Sequence, residues 1–241
     1  MKKAIVIGAS SGLGQEVAKL LLADGMQLGI AARRVERLEE VKALAPDRVE
    51  VQAIDVTSDE APQELEALIE KVGGMDLFFY ASGVGNQNMD LDPEIELKTV
   101  NVNGMGFTRM IGAAYRYMAE HGGGHIAAIS SIAGTKGLGA APSYSATKAM
   151  QNTYIQSLEQ QANMRGLNIT FTDLRPGFVA TALLGDDPKY PVLLTPEKVA
   201  REMVSAIKHR RHVWVIDWRW RIITAMWRRI PRWLWRKLKV R

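Results

Sequence analysis

The sequence contains no cysteine and only four histidines among its 241 residues. A chain without cysteine can form neither a disulfide nor a thiolate metal site, and the scattered histidines lack the spacing of metal ligands. Long apolar runs are also missing, since no segment approaches the ~20 apolar residues that cross a bilayer. The first apolar run, residues 4–7, is too short for the core of a signal peptide. We therefore expect a cytoplasmic protein whose chemistry requires no metal.

Acidic residues are almost absent from the C-terminal segment. From Lys208 to the end the chain has twelve Lys/Arg and one acid, Asp217, a net charge of +11. The remainder carries 19 Lys/Arg and 25 Asp/Glu, a net charge of −6. All six tryptophans lie between Trp214 and Trp235. The composition therefore divides the chain near Asp217 into a mildly acidic body and a basic, tryptophan-rich tail, residues 217–241.

The chain begins with a predicted strand, a glycine-rich loop and a predicted helix. Residues 4–7 are apolar and rich in β-branched side chains, which indicates a buried parallel strand. A helix is predicted after the loop, up to about residue 23. The glycines let the backbone turn sharply and approach a pyrophosphate, for which the helix N-terminus supplies free N–H groups. Strand, loop and helix together predict a dinucleotide site formed by Gly8, Ser10, Ser11, Gly12, Leu13 and Gly14.

A second predicted strand, residues 28–32, ends at Arg33 and Arg34. Enzymes specific for NAD place an acidic residue near this point, about twenty residues past the glycines, to bind the ribose 2′-hydroxyl. Two arginines stand here instead, and a guanidinium matches a 2′-phosphate in charge and in bidentate geometry. The alternative is that both arginines only begin a solvated helix, residues 35–45. The pattern favours NADP(H) over NAD(H).

A tyrosine and a lysine stand four residues apart in another predicted helix, residues 143–165. This spacing puts Tyr144 and Lys148 on one helical face, where their side chains can converge. A phenol with a pKa near ~10 is a poor acid or base at pH 7, and a neighbouring ammonium lowers that pKa toward the working range. Ser131, at the end of the preceding strand, can offer its hydroxyl to the same oxygen. For this pair alone, an ordinary helix with a surface Tyr and Lys is the alternative.

Ser131, Tyr144 and Lys148, with the glycine loop, resemble the catalytic and cofactor-binding set of the short-chain dehydrogenase/reductase family. The resemblance covers residues 1–216. It implies that Asn101 holds a water in a proton relay to Lys148, so the implied catalytic residues are Asn101, Ser131, Tyr144 and Lys148. Besides the glycine loop and the two arginines, the implied cofactor contacts are Asp55 and Val56 at the adenine, Ala81 and Gly83 after the fourth strand, Lys148 at the nicotinamide ribose with Tyr144 beside it, and Pro176, Gly177, Val179 and Thr181 at the nicotinamide end.

The sequence departs from the family pattern at three places. Ile7 replaces a common threonine before the glycine loop, and Ala81 replaces an asparagine whose side chain ties neighbouring strands. The segment 183–194 corresponds to the part that covers the substrate in this family, and here it is brief. We therefore expect an open pocket that another part of the protein completes.

Strands and helices alternate seven times along residues 1–216. Such alternation demands right-handed crossovers and a parallel sheet with helices on both faces. We predict an α/β fold, a Rossmann-like doubly wound parallel sheet, as one catalytic domain over residues 1–216 with an amphipathic helical tail over 217–241. By resemblance, two long helices, residues 93–120 and 143–165, would form a homodimer contact.

The resemblance implies an NADPH-dependent carbonyl reductase or, in reverse, an alcohol dehydrogenase. Tyr144 would protonate the carbonyl oxygen, and Ser131 would hydrogen-bond that oxygen as charge develops. The tail argues against a 3-oxoacyl-carrier-protein reductase, because tetrameric enzymes of that type end soon after the last strand. A soluble reductase of that type or of small ketones stays an alternative. A catalytically idle NADP-binding module tethered to a membrane is a further alternative, but the presence of Ser131, Tyr144 and Lys148 argues against it.

Apolar residues recur at helical spacing in the tail, as one stripe formed by Ile222, Ile223, Met226, Trp227 and Ile230. Pro231 is expected to bend or restart the helix. Tryptophan prefers the headgroup boundary and cations are attracted to anionic lipid, so residues 218–241 are predicted to hold the protein peripherally on the cytoplasmic membrane face, near a hydrophobic, lipid-like substrate. Packing of this helix on the domain or across a dimer is the alternative. Nucleic-acid binding, which Arg and Trp also suit, is disfavoured by the apolar stripe. We also expect the body to fold without the tail.

Overall fold

The protein is built on a seven-stranded parallel sheet. A computed structural model of the chain describes residues 2–181, 184 and 190–240. The strands are β1 (Lys3–Ile7), β2 (Gln27–Ala32), β3 (Val49–Ala53), β4 (Leu77–Tyr80), β5 (Gly124–Ile129), β6 (Ile169–Pro176) and β7 (Val213–Ile216). Their order in the sheet is β3-β2-β1-β4-β5-β6-β7, and every neighbouring pair runs parallel.

Helices cover both faces of this sheet. They are α1 (Gly12–Ala23), α2 (Val35–Lys42), α3 (Ala61–Val72), α4 (Pro93–Val100), α5 (Phe107–Glu120), α6 (Pro142–Met164), α7 (Pro196–Lys208), α8 (Trp218–Arg229) and α9 (Arg232–Trp235). The buried side chains of α1, α2 and α7 share one apolar core, and those of α3, α5 and α6 share another. The predicted doubly wound Rossmann-like fold is confirmed.

Successive residues of the central strands serve opposite faces of the sheet. In β1, Ile5 and Ile7 belong to the core with α3, α5 and α6, while Ala4 and Val6 belong to the core with α1 and α7. All four side chains are fully buried. A strand buried on both faces reads as a continuous apolar run, because neither face carries polar residues. This is the physical reason that residues 4–7 are recognisable as a central strand.

One predicted helix is interrupted. The sequence predicts a continuous helix over residues 93–120, but α4 and α5 are separated by a π-helical turn, Asn101–Gly106. Asn and Gly are weak helix formers, and this turn has two of each. A Cβ on Gly106 would lie 2.9 Å from Cγ2 of Val56, so glycine lets the turn approach the segment that follows β3. The π-helical turn therefore lies beside Val56, one of the residues that line the cavity described below.

The C-terminal tail packs onto the domain. Asp217 begins α8, with Oδ1 accepting a hydrogen bond from the backbone N of Arg219 at 3.0 Å. The carboxylate is 3% exposed, and hydrogen bonds from the Arg219 side chain and from Lys198 hold the pKa of Asp217 well below its usual range. Trp220, in the first turn of α8, is 2% exposed. One face of α8 therefore packs on the domain, which is the alternative that the sequence left open for the tail.

The tail restarts after a proline, as predicted. α8 ends at Arg229, Pro231 precedes the next helical turn, and α9 begins at Arg232. Within the described part of the chain, none of the helices is both long enough and apolar enough to cross a membrane.

Parallel strands bring the segments that follow them to one edge of the sheet. β1 lies between β2 and β4, where the chain order reverses, and this is the usual place for a ligand crevice in a doubly wound sheet. A cavity of about 770 Å³ lies at this edge, lined by residues that follow β1, β2, β3, β4, β5 and β6.

Candidate active site

One wall of the cavity is the glycine loop between β1 and α1. Gly8 has φ +87°, a conformation that residues with side chains rarely adopt, and a Cβ there would lie 2.7 Å from the backbone N of Ser82. A Cβ on Gly14 would lie 2.2 Å from the carbonyl oxygen of Gly8. The loop therefore needs glycine at both positions. The first turn of α1 lines the cavity, where its N–H groups suit a pyrophosphate. These residues fit a dinucleotide.

Arg34 reaches from the start of α2 back to the glycine loop. Its Nη2 atom donates to the hydroxyl oxygens of Ser10 at 3.3 Å and Ser11 at 3.2 Å. Arg33 lines the cavity beside it. Two hydroxyls and two guanidiniums are therefore grouped just after β1 and β2, the region that faces the ribose 2′ position in a dinucleotide site.

Asp55 and Val56 follow β3 and line the same cavity. Burial alone would raise the pKa of Asp55, but hydrogen bonds from Thr57 and the charge of Arg33 leave it below its ordinary value. Asp55 is therefore an ionised acceptor at neutral pH, suited to a nucleoside amine or hydroxyl. Among the described residues, the His, Cys, Asp and Glu side chains form no group of three or more that could hold a metal ion.

Ser131 and Tyr144 meet at the cavity. Ser131 follows β5, where its Oγ accepts a hydrogen bond from the N of Ala133 at 3.0 Å, and its hydroxyl lies close enough to the phenol of Tyr144 to oppose the rise in pKa that burial causes there. Tyr144 lies in the first turn of α6. A Cβ on Gly85 would lie 2.7 Å from the Tyr144 ring, so glycine at this position makes room for the phenol. The structure brings together the two hydroxyls that the sequence predicts to act on one oxygen.

Lys148 lies one helical turn after Tyr144 and is 4% exposed. Its Nζ atom donates to the carbonyl oxygen of Ile129 at 3.2 Å and to Oε1 of Gln151 at 3.0 Å. Burial lowers the pKa of Lys148 to about 8, and the nearby carboxylate of Asp173 only partly opposes this. Lys148 is therefore charged at neutral pH and loses its proton in mildly alkaline solution.

The pKa of Tyr144 differs from the sequence-based expectation. The spacing predicts that Lys148 lowers it, but burial raises it, and the hydrogen bond from Ser131 only partly opposes the effect. The Lys148 ammonium lies 5.7 Å from the centre of the Tyr144 ring, and its hydrogen bonds go to Ile129 and Gln151. Tyr144 therefore keeps its proton at neutral pH, which is the state that a general acid needs.

Asn101, which the sequence predicts to take part in a proton relay with Lys148, does not point into this site. Its side chain is exposed on the π-helical turn, whereas Asn103 is fully buried. Oδ1 of Asn103 accepts from the N of Val84 at 2.9 Å, and its Nδ2 donates to the O of Val84 at 2.7 Å. Residues two apart on a helix point about 200° apart, so only one of the two asparagines can face the site. Asn103 also holds the segment after β4, where Ala81 lacks the family's asparagine side chain.

The turn after β6 forms another wall. A Cβ on Gly177 would lie 2.1 Å from Nε1 of Trp220, so the tail packs directly on this turn. Thr181 approaches the glycine loop, since a Cβ on Gly12 would lie 3.6 Å from its Cγ2 atom. All residues predicted at the nicotinamide end and after the fourth strand line the cavity: Ala81, Gly83, Pro176, Gly177, Val179 and Thr181.

An aromatic row runs from this turn into the tail. The ring centres of Phe178 and Trp220 are 5.4 Å apart, those of Trp220 and Trp227 are 6.1 Å apart, and those of Trp227 and Trp235 are 5.6 Å apart. All three pairs meet edge to face, a favourable arrangement for aromatic rings. The row gives the tail a continuous apolar contact with the domain.

The far end of the tail is held on the segment that follows Ser131. Nε1 of Trp235 donates to the carbonyl oxygen of Gly137 at 2.8 Å, and Nζ of Lys136 donates to that of Ile230 at 2.8 Å. Trp227 and Val240 line the cavity. The tail therefore supplies part of the pocket wall. Of the predicted covering segment 183–194, residues 183 and 185–189 lie outside the described residues.

Several residues of the site are not found by sequence reasoning. The sequence contains two asparagines in the π-helical turn, Asn101 and Asn103, and does not show which of them is buried. Gln151 has a weak signal, because a polar residue at a position three after Lys148 falls on the buried face of α6. Nothing in the sequence singles out Trp220 among six tryptophans.

A glycine loop that fits a dinucleotide, facing Ser131, Tyr144 and Lys148, defines the class of a nicotinamide-dependent oxidoreductase. The family model for short chain dehydrogenases matches residues 2–190. The chain therefore belongs to the short-chain dehydrogenase family. It is an NAD(P)-dependent oxidoreductase that acts on CH–OH or C=O groups.

Known relatives agree with this family. The chain is 32% identical over 219 residues to an uncharacterized oxidoreductase of Staphylococcus aureus (strain N315), covering 88% of this chain and 93% of the relative. It is 33% identical over 232 residues to the glycine betaine reductase of Emericella nidulans, covering 88% of this chain but only 18% of that protein.

Solved structures share the fold. A short-chain dehydrogenase from Streptomyces avermitilis superimposes with a TM-score of 0.82 at 24% identity, covering 93% of this chain and 92% of that one. The alcohol dehydrogenase of the archaeon Thermococcus sibiricus, complexed with 5-hydroxy-NADP, gives a TM-score of 0.78 at 24% identity, covering 90% and 96%.

Proposed function

We propose that the protein reduces a hydrophobic ketone or aldehyde with NADPH, or catalyses the reverse oxidation. The observation behind this proposal is the convergence of Ser131, Tyr144 and Lys148 on a cavity that also contains the glycine loop. The bound dinucleotide supplies the hydride for the carbonyl carbon. The test is a screen of the purified protein for NADPH oxidation with ketones of increasing chain length. Absence of oxidation with every ketone would overturn the proposal.

The side chains divide the remaining work. Tyr144, which keeps its proton at neutral pH, donates it to the carbonyl oxygen as negative charge develops there. Ser131, beside the same phenol, donates its single hydroxyl proton in a hydrogen bond to that oxygen. Lys148 binds the ribose hydroxyls and keeps a positive charge near the reacting group. An idle binding module would not require all three groups in one cavity.

NADP(H) rather than NAD(H) is the proposed cofactor. Arg34 is already held at the glycine loop by Ser10 and Ser11, and Arg33 lines the cavity beside it. Guanidinium and hydroxyl groups are donors to a phosphate, whereas a ribose diol is best held by a carboxylate acceptor. Asp55, which lines the cavity after β3, accepts hydrogen bonds at Oδ1 from the backbone N and the hydroxyl of Thr57.

Arg33→Asp combined with Arg34→Ala is expected to reverse the cofactor preference. Loss of charged hydrogen bonds to the 2′-phosphate should weaken NADPH binding by roughly 10- to 100-fold, while NADH binding stays the same or improves. Titration of each cofactor by fluorescence measures this directly. The control is Arg37→Ala, an exposed arginine of α2 that pairs with Glu40. Equal wild-type affinity for NADH and NADPH would contradict the assignment.

The substrate end of the cavity supports a hydrophobic substrate. Phe178, Tyr190 and Trp227 line it, with the rings of Phe178 and Tyr190 4.6 Å apart. Aromatic walls favour apolar groups and leave the polar contacts to the few residues that fix the carbonyl. A soluble reductase of small ketones is the alternative, and it predicts no gain in rate with chain length.

We propose that the protein binds the cytoplasmic side of a membrane, because the surface of the tail that points away from the domain carries exposed apolar side chains. Trp220, Thr224 and Trp227 face the domain, whereas other apolar residues remain exposed. The exposed set is Trp218, Ile222, Met226, Trp233, Leu234 and Leu238. The predicted single stripe is therefore divided, with Trp227 inward and Ile222 and Met226 outward. Apolar and tryptophan side chains beside many cations suit an anionic lipid surface.

The substitutions Trp218→Ser, Met226→Ser and Trp233→Ser together are expected to abolish binding to lipid without touching the inner face. The full chain should sediment with vesicles of phosphatidylcholine and phosphatidylglycerol, and the triple variant should stay in the supernatant. The matched control is Leu97→Ser, an exposed apolar residue of α4. If the triple variant sediments like the wild type, the membrane proposal is refuted. Binding that single-stranded DNA competes away completely would favour a nucleic-acid partner instead.

A homodimer is proposed through the helices that follow β4 and β5. α6 carries a shallow groove whose lining includes Met150, Tyr154 and Ser157, and Met150 is exposed. Exposed apolar groups on a long helix suit pairing with the same helix of a second copy.

A further inference from the structure

Gln151 is fully buried one helical turn after Lys148, and both ends of its amide are used. Oε1 accepts a hydrogen bond from Nζ of Lys148 at 3.0 Å. Nε2 donates to the carbonyl oxygen of Asn103 at 2.8 Å. A buried amide satisfied at both ends forms a rigid link between its two partners. Here the link joins the ammonium of the site to the π-helical turn.

The groups around the Lys148 ammonium show why its hydrogen bond to Gln151 matters. The titratable groups that face the ammonium are Tyr144, on its own helix, and Asp173, on β6. Asp173 already pairs with Arg175 and bonds to Ser130. Among the described residues, the Lys148 ammonium donates to the Ile129 carbonyl and to the Gln151 amide. A buried ammonium needs such acceptors to stay charged.

We propose that Gln151 is a positioning residue for the reaction, which braces the Lys148 ammonium against the backbone of Asn103. This inference rests on the proposed function only for its effect on turnover. An amide neither takes up nor releases a proton near neutral pH, so the line from Lys148 through Gln151 to Asn103 orients the ammonium and does not conduct protons.

Two substitutions are expected to move the protonation of Lys148 in opposite directions. Gln151→Met keeps the length but removes the acceptor, which disfavours the charged form and lowers the pKa of Lys148. Gln151→Glu keeps the shape and adds an opposite charge, which raises the pKa. From the wild-type value of about 8, each shift should be about one to two pH units. The control is Gln156→Met, an exposed position of the same helix, which should leave the pKa unchanged.

The measurement is an NMR titration of the cofactor-free protein with ¹³C-labelled lysine, in which Lys148→Arg identifies the resonance. It needs no substrate, so it is independent of the proposed reaction. Equal midpoints in Gln151→Met, Gln151→Glu and the wild type would overturn the brace. If Gln151→Met fails to fold, Gln151→Asn takes its place. That amide is one methylene too short to reach both partners, so the midpoint should again fall.

Turnover separates this inference from the proposed function. With a ketone found in the NADPH screen, the alkaline limb of the reduction profile should move to lower pH in Gln151→Met and to higher pH in Gln151→Glu. If the midpoints shift as expected but no ketone is reduced, the brace stands and the proposed function fails. If ketones are reduced and the profiles of both variants match the wild type, the brace is wrong.

Discussion

Tyr144→Phe is expected to lower kcat for ketone reduction by roughly 10²- to 10⁴-fold, the usual contribution of a general acid. The substitution removes only the hydroxyl, and the ring keeps its place against Gly85. NADPH should therefore bind as in the wild type, because the glycine loop and the arginines are untouched. The measurement is steady-state NADPH oxidation together with a binding titration of NADPH.

Tyr154→Phe is the matched control for this variant. Tyr154 lies on the same helix and packs its ring against Phe107, away from the cavity. It should keep nearly full activity. Retention of activity in Tyr144→Phe would remove the proposed acid, and loss of NADPH binding in that variant would show that the phenol serves the cofactor instead.

Trp220→Ala is expected to lower the free energy of unfolding by about 3–5 kcal/mol, as for other large buried aromatic side chains. Trp220 is 2% exposed and packs on Gly177 and Phe178. Among the residues that the structure describes, its Nε1 atom has no hydrogen-bond partner, so the expected loss is one of packing. Removing the indole should also loosen the turn after β6 and weaken NADPH binding. Urea unfolding and an NADPH titration measure the two effects.

Trp233→Ala is the control, because Trp233 is in the same tail but is 61% exposed. Its free energy of unfolding should stay within about 0.5 kcal/mol of the wild type. If the two variants are equally stable, α8 does not contribute to the fold. The burial of Trp220 also adds to one sequence-based prediction: a chain ending at Asp217, which is predicted to fold, should be less stable than the full protein.

The central sheet could be predicted because its signals are local. Residues 4–7 and 77–80 are continuous apolar runs, and such runs are required wherever a parallel strand is covered on both faces. The glycine loop is equally local, since the conformation of Gly8 and the contact between Gly14 and Gly8 exclude side chains whatever else surrounds them. For the same reason Tyr144 and Lys148 could be paired, because four residues make about one helical turn.

The pKa values and the relay could not be predicted, because they depend on distances between elements. The sequence shows that Lys148 is near Tyr144 but not that burial outweighs its charge. It shows two asparagines, and only the π-helical turn decides that Asn103 rather than Asn101 is buried. Gln151 could not be assigned a role before α6 was placed beside this turn.

The amino-acid sequence by itself determined the sheet, the dinucleotide loop and the Ser–Tyr–Lys set, because each follows from local backbone geometry and residue spacing. It also determined that the tail is basic and aromatic. Only the tertiary structure decided which side of the tail is covered. Both Trp220 and Ile222 are apolar, so periodicity cannot choose between them. The choice is made by Gly177, whose missing side chain leaves room for one indole, and this contact turns α8 so that Ile222 faces outward.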